Sequence, residues 1–219
     1  MAKVYISNAV KSTRVLYGNH MKLVTQKAII YDWLRKVVEM LWEGYQNADR
    51  HVAVELTNYH PALIGSPLEA VFATNISYED IESVVLEEYG FLSWDDVKQA
   101  GIFDEEFEKA VNYVLSGDLE SIKKVIMRAP EIINQASGFG HKATLLQYLP
   151  ANGTEIWRQY ISENVLEMME FLIESGADPD AENNIYGGTT LRSLIETSDH
   201  TFNSHQSDKM LERLRIYGY

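Results

Sequence analysis

The chain has 219 residues, is 46% hydrophobic and carries a formal net charge of −13. That length supports a buried core in one or two domains. The absence of cysteine excludes disulfides, thiolate catalysis and zinc–thiolate sites, and no apolar run approaches the roughly 18 residues that span a bilayer.

Charge is unevenly spread. Lys3, Lys11, Arg14, Lys22, Lys27, Arg35 and Lys36 face only Asp32 over residues 1–36, a balance of +6, so the remainder carries −19. An acidic body repels phosphate backbones, and no nucleic-acid partner is expected for it. The basic segment reads as a patch packed on that body, against the alternatives of a nucleic-acid arm or a targeting sequence. The start of the chain lacks the compact apolar core of a secretory signal. A chain without cysteine fits a reducing compartment, and a cytoplasmic location is expected.

In chain order, Val4 to Ser7 has strand character, and Gly18-Asn19 between two β-prone runs (Arg14 to Thr25) predicts a β-hairpin. From Ala28 the period changes: Ile30, Leu34, Val37, Val38 and Leu41 recur at helical spacing. Val52, Val54 and Leu56 alternate like a strand, but their place after a helix favours a second helix. Ser77 and Ser93 open further helices, each followed by acids that suit the positive end of the dipole. The next two helices run from Phe107 to Gly117 and from Asp118 to before Pro130. A loop, Ser137 to His141, precedes a helix predicted from Thr144 to Leu149. Val165, Met168, Met169, Leu172 and Ile173 make the cleanest stripe, closed by Gly176.

Two-helix units recur. ATLLQYLPANG at Ala143 to Gly153 matches TTLRSLIETSD at Thr189 to Asp199; VLEMMEFLIESGA at Val165 to Ala177 matches KMLERLRIYGY at Lys209 to Tyr219. Self-similarity of this kind signals stacked helical pairs. Thr144-Leu145-Leu146-Gln147, Thr190-Leu191-Arg192 and Gly176-Ala177-Asp178-Pro179-Asp180-Ala181 resemble the helix opening and the helix-end turn of the ankyrin-repeat family. The stretch Asn75 to Trp94, with HKATLLQYLPANG and IYGGTTL, is similar to a group of bacterial ankyrin-repeat proteins. The departures are a longer, less regular spacing, Gln147 and Arg192 in place of the usual His, and an insertion at Gly153 to Ile161. The resemblance implies a mainly α, ankyrin-like helical-pair solenoid, with a small N-terminal β-hairpin or arm (1–27), a degenerate helical region (28–103) and ankyrin-like repeats (104–219). Hairpin tips after the Gly-Ala-Asp turn would line a binding surface.

No metal constellation is legible: His200 and His205 lie near Asp199 without the spacing a metal needs. Acid clusters such as Asp95-Asp96 and Asp104-Glu105-Glu106 read as dipole partners at helix starts. Gly138-Phe139-Gly140 is too short for a dinucleotide fingerprint. No cofactor is implied. The expectation is a non-catalytic protein–protein interaction module, with an acidic immunity- or antitoxin-type inhibitor of a basic protein as the alternative, and an enzyme using the N-terminal segment or an inter-repeat pocket third. By resemblance the partner would touch Phe139, His141, Gln147, Trp157, Arg158, Asn183, Asn184, Tyr186 and Arg192, with Ser137 beside them.

Overall fold

The computed structural model describes residues 3–219. Helices dominate. They are α1 (Asn8–Tyr17), α2 (Ile30–Gln46), α3 (Ala53–Tyr59), α4 (Tyr78–Glu88), α5 (Trp94–Gln99), α6 (Glu105–Ser116), α7 (Leu119–Arg128), α8 (Val165–Glu174), α9 (Leu191–Glu196), α10 (Asp199–Asn203) and α11 (Ser207–Ile216). Two three-residue strands, β1 (Val4–Ile6) and β2 (Tyr160–Ser162), pair antiparallel with Tyr5 opposite Ile161.

Local chemistry sets most helix ends. Ser77 and Asp80 form a reciprocal capping box at α4. Asp104 accepts from the Glu106 and Phe107 amides at α6, and Asp118 from Ser121 at α7. Such caps contribute about 1 kcal/mol each. Gly117 closes α6 in the left-handed region at φ 72°.

The predicted N-terminal hairpin is not formed. Ser7 accepts a hydrogen bond from the Val10 amide and starts a helix, and Val10, Thr13 and Tyr17 bury one face of it. Gly18, at φ 50°, ends that helix, and Gly18–Thr25 continues as 3₁₀ turns. A Gly-Asn pair serves a helix stop as readily as a hairpin turn, and the cap with the i, i+3, i+7 face decides between them. The strand at Val4–Ile6 finds its partner far along the chain instead. The segment is thus no detached arm: Arg14 donates through Nε to the Trp157 carbonyl at 3.0 Å and lies 4.5 Å over the Tyr160 ring. Met1 and Ala2, its first two residues, lie outside the described ones.

Two further expectations need correction. Thr144–Leu149 holds only a 3₁₀ turn, Leu146–Tyr148, because Pro150 has no N–H to offer the Leu146 carbonyl. No strand pair follows Gly176-Ala177-Asp178 among the described residues: Asp178 accepts from the Asp180 amide at 2.9 Å in a turn, and the chain runs irregularly to Asn184.

The interior has two apolar clusters. One gathers α1–α4 side chains, including Tyr17, Trp33, Leu34, Leu41, Val85 and Tyr89. The other joins α6 and α7 to the C-terminal helices, with Val111, Met168, Met169, Leu172, Leu194, Met210 and Leu214 in contact. Phe139 and Trp157, from loops late in the chain, belong to the first. The Phe139 ring centroid lies 5.0 Å from Tyr89, 5.2 Å from Phe103 and 5.7 Å from Trp33.

Replacing this loop phenyl is therefore a core truncation. Phe139→Ala is expected to lower unfolding free energy by about 3–5 kcal/mol, read from a shifted urea midpoint; a loss near zero would place the ring outside the load it carries here.

Candidate functional site: a buried carboxylate seam and its cleft

Between the two clusters the chain crosses itself closely. Gly90 sits at φ 72°, and a Cβ there would lie 2.4 Å from the His141 backbone nitrogen; one on Gly140 would lie 2.2 Å from the Gly90 carbonyl oxygen. Only glycine allows this contact. The Asn184 amide donates to the His141 carbonyl at 2.8 Å, and its side chain donates to the Gly140 carbonyl at 3.0 Å. Three remote stretches are thereby clamped together.

Beneath the crossing lie Glu55, Glu88, Glu108 and Glu155, each at most 2% exposed, with Arg158 and His141 equally buried. Arg158 donates through Nη1 to Glu108 Oε2 at 2.6 Å and to Glu155 Oε1 at 3.0 Å, and through Nη2 to Asn112 Oδ1 at 3.2 Å. Its guanidinium stands 4.4 Å over the Trp157 ring. Glu88 Oε1 accepts from the Ile156 amide at 3.1 Å, and the Tyr17 hydroxyl donates to Glu55. His141 Nδ1 accepts from the Ala143 amide at 3.1 Å, so its proton sits on Nε2, which lies 3.4 Å from Glu155 Oε2 without the alignment of a hydrogen bond.

Four carboxylates cannot all stay charged here. Burial pushes Glu55 up to about 8, with the Tyr17 hydrogen bond opposing. Burial, then Glu55, raise Glu88 well above the carboxylate range, against the pull of the Ile156 amide. Burial lifts Glu108 to about 7 although Arg158 opposes. Burial acts on Glu155 too, but Arg158 and His141 outweigh it and hold it below its usual value. Arg158 stays protonated despite its burial because Glu108 and Glu155 face it. The seam is thus one ion pair among largely neutral acids.

Above it opens a cleft of about 350 Å³ whose lining includes Tyr59, Glu87, Glu88, Leu92, His141 and Tyr186. Leu92 is 96% exposed and Tyr186 69% exposed at its lip. Tyr186 holds φ 50°, ψ 34°, unusual for a side-chain-bearing residue, and donates its hydroxyl to Asn152 Oδ1 at 2.9 Å.

Most of the residues expected to meet a partner are interior. Phe139, His141, Gln147, Trp157, Arg158 and Asn183 are buried, as is Ser137. Gln147 is spent inside the fold, its Oε1 accepting from the Thr144 amide and its Nε2 donating to the Ala181 carbonyl. Asn183 bonds the Ile185 amide and the Thr189 carbonyl. The physical reason is common to them: their loops lie between the two apolar clusters, and a buried loop must satisfy its own backbone. Asn184, Tyr186 and Arg192 do stand exposed. Asn184 and Tyr186 share the cleft with His141, whereas Arg192 faces Glu196 and the Tyr219 carbonyl elsewhere.

Sequence reasoning missed the four glutamates, yet a signal was there. Glu55 interrupts the apolar run Val52 to Leu56, Glu88 falls on the Ile81–Val84 stripe, and Glu108 shares a face with Val111 and Leu115. An acid on a buried helical stripe is informative because burial of a charge demands a partner or a proton. Among the described residues no group of His, Asp and Glu is arranged to hold a metal ion.

The chain matches no protein-family model, no curated protein and no solved structure.

Two outcomes follow from the seam. The raised acids hold protons in the fold that the unfolded chain releases near 4.5, so their contribution is full below that pH, declines above it, and is lost once pH has risen through about 7 and 8. Urea midpoints should fall from about pH 6 to about pH 9. Glu55→Gln should flatten that slope and raise the midpoint at the alkaline end. Arg158→Met should cost about 3–5 kcal/mol at neutral pH, since it strands Glu155 as a buried unpaired charge, and the loss should shrink when Glu155→Gln is added.

Proposed function

We propose that this chain is a non-catalytic protein-binding module on a helical fold, its ankyrin-like features reduced to the helix opening at Thr190 to Arg192 and the turn at Gly176 to Ala181. The observation that carries the binding reading is the lip of the cleft. Leu92 and Tyr186 stand out into solvent on a fold that buries most of its large apolar groups, and the cleft beside them is rimmed by the acid Glu87. Exposed aromatic and apolar side chains around a concavity are the usual anchors of an interface.

The closed state of the seam favours binding over catalysis. His141 and the four buried glutamates have acid–base potential, yet each is at most 2% exposed even where Glu88 and His141 line the cleft. A reacting group has to come within hydrogen-bond reach of a substrate.

Charge favours a basic partner. A net −13, with −19 beyond residue 36, speeds encounter with a cationic surface. The narrower form of the proposal is therefore an acidic immunity- or antitoxin-type inhibitor acting in the cytoplasm. Among the described residues no helix is long and apolar enough to cross a membrane.

The test is affinity capture from a native lysate with the wild-type chain and with Leu92→Asp/Tyr186→Ala as bait. The proposal expects a protein retained by the wild type, lost from the variant, and released by moderate salt. An identical set of captured proteins on both baits, or none on either, would overturn it. Salt-insensitive capture would leave the general module and remove the basic-partner form.

A further inference from the structure

On the far side of Tyr186 lies a second concavity, a groove of about 470 Å³. That volume is within the roughly 300–1,000 Å³ of small-molecule sites. Separate stretches build it: the start of the chain through Tyr5, the end of α3 through Asn58 and Tyr59, the turn at Gln159, and α10 through Asp199, His200 and Asn203.

The lining is selective in what it omits. It contains no lysine or arginine and one carboxylate, Asp199, so it suits neither a phosphate nor a multiply charged cation. It is rich in groups that donate and accept at once. Asn58 and Asn203 are exposed, and their side-chain amides make no hydrogen bond to other described residues. His200 Nδ1 is buried without a partner. Burial lowers the His200 pKa, with Asp199 opposing, which keeps the imidazole neutral and able both to donate and to accept. Its ring meets the Tyr5 ring edge-on at 6.3 Å, and Tyr59 and Tyr186 supply two more aromatic rings.

We propose that this groove binds a neutral, hydroxyl-rich ligand of the saccharide class, its ring seated against the tyrosines and its hydroxyls shared by Asn58, Asp199, His200 and Asn203. A pyranose has an apolar C–H face that packs on aromatic carbon, and an edge of hydroxyls that each donate and accept. Amides, a carboxylate and a neutral imidazole match that edge. An extended peptide would instead draw on a row of main-chain groups along a sheet edge; here the polar groups are side chains converging from separate segments. The groove shares Tyr59 and Tyr186 with the cleft, but its polar groups, Asn58, Asp199, His200 and Asn203, are its own, and its test needs no partner protein.

The probes are D-glucose, D-galactose, N-acetyl-D-glucosamine and cellobiose, each titrated into uniformly ¹⁵N-labelled protein at neutral pH, with glycerol as the control polyol. Saturable amide shift changes are expected for at least one sugar, centred on Asn58 and on Asp199 to Asn203. Asn58→Ala/Asn203→Ala removes only exposed side chains, so the spectrum should remain that of the folded protein while affinity falls about tenfold or more. Tyr5→Leu, which keeps an apolar wall but removes the ring, should weaken binding as well. The proposal is overturned if no sugar gives a saturable shift, if glycerol matches the sugars, or if the double variant binds as the wild type does.

Discussion

One buried cation governs the middle of this molecule. Arg158 comes from a loop, yet it is among the largest fully buried side chains, and Glu108 of α6 and Glu155 of its own loop hold it in place. Taking a guanidinium out of water costs several kcal/mol even after relaxation. The cost is met by shared hydrogen bonds and by the face of Trp157, at 4.4 Å. Glu155 can then stay ionised, and the remaining acids need not. Arg158 faces both Glu155 and Glu108, while burial favours the protonated form of Glu55 and Glu88. Such an arrangement stabilises little by itself, but it tolerates few other placements of the loop, because a shifted Arg158 would strand two carboxyls.

That restriction is what places the cleft. The loop carrying Arg158 also carries Ile156, whose amide meets Glu88, and Trp157, which enters the α1–α4 cluster. The preceding loop sends Phe139 into the same cluster and crosses Gly90 at a distance no side chain would permit. With both loops fixed, Asn184 has a firm surface to bond, and Tyr186 is delivered to the lip in a left-handed conformation that its neighbours Gly187 and Gly188, both at positive φ, accommodate. Strain at Tyr186 is thus held by contacts below it.

Much of the helical framework was legible in the residues themselves. Ser77 with Asp80, Asp104, Asp118, Gly117 and Gly176 each announce a helix end through a named hydrogen bond or backbone angle, and the Val165–Ile173 stripe declares its buried face. What escaped was non-local. Val4–Ile6 looks like a strand, but nothing near it reveals a partner at Tyr160–Ser162. Gly18-Asn19 carries a hairpin signal that loses to a cap and a helical face. The candidate surface failed for a more general reason. Aromatic and charged residues between predicted helices resemble solvent-facing loop side chains, whereas Ser137–His141 and Thr154–Arg158 fill the space between two apolar clusters. Loops usually run over the surface because their backbone needs water; these two satisfy it with Asn184, Glu88 and His141 instead.

The inversion bears on function. His141 and Arg158, expected at a partner surface, are instead buried with the four glutamates where the two halves of the fold meet. Leu92, after a helix end, and the expected contact residue Tyr186, before two glycines, stand among the large side chains presented to solvent. Coupling between the two sets runs through short contacts: Glu88 lines the cleft with its neighbour Glu87 and is also bonded to the Ile156 amide one residue from Trp157. Ionising Glu88 would place a charge beside Glu55 at the edge of the cleft, and burial opposes it.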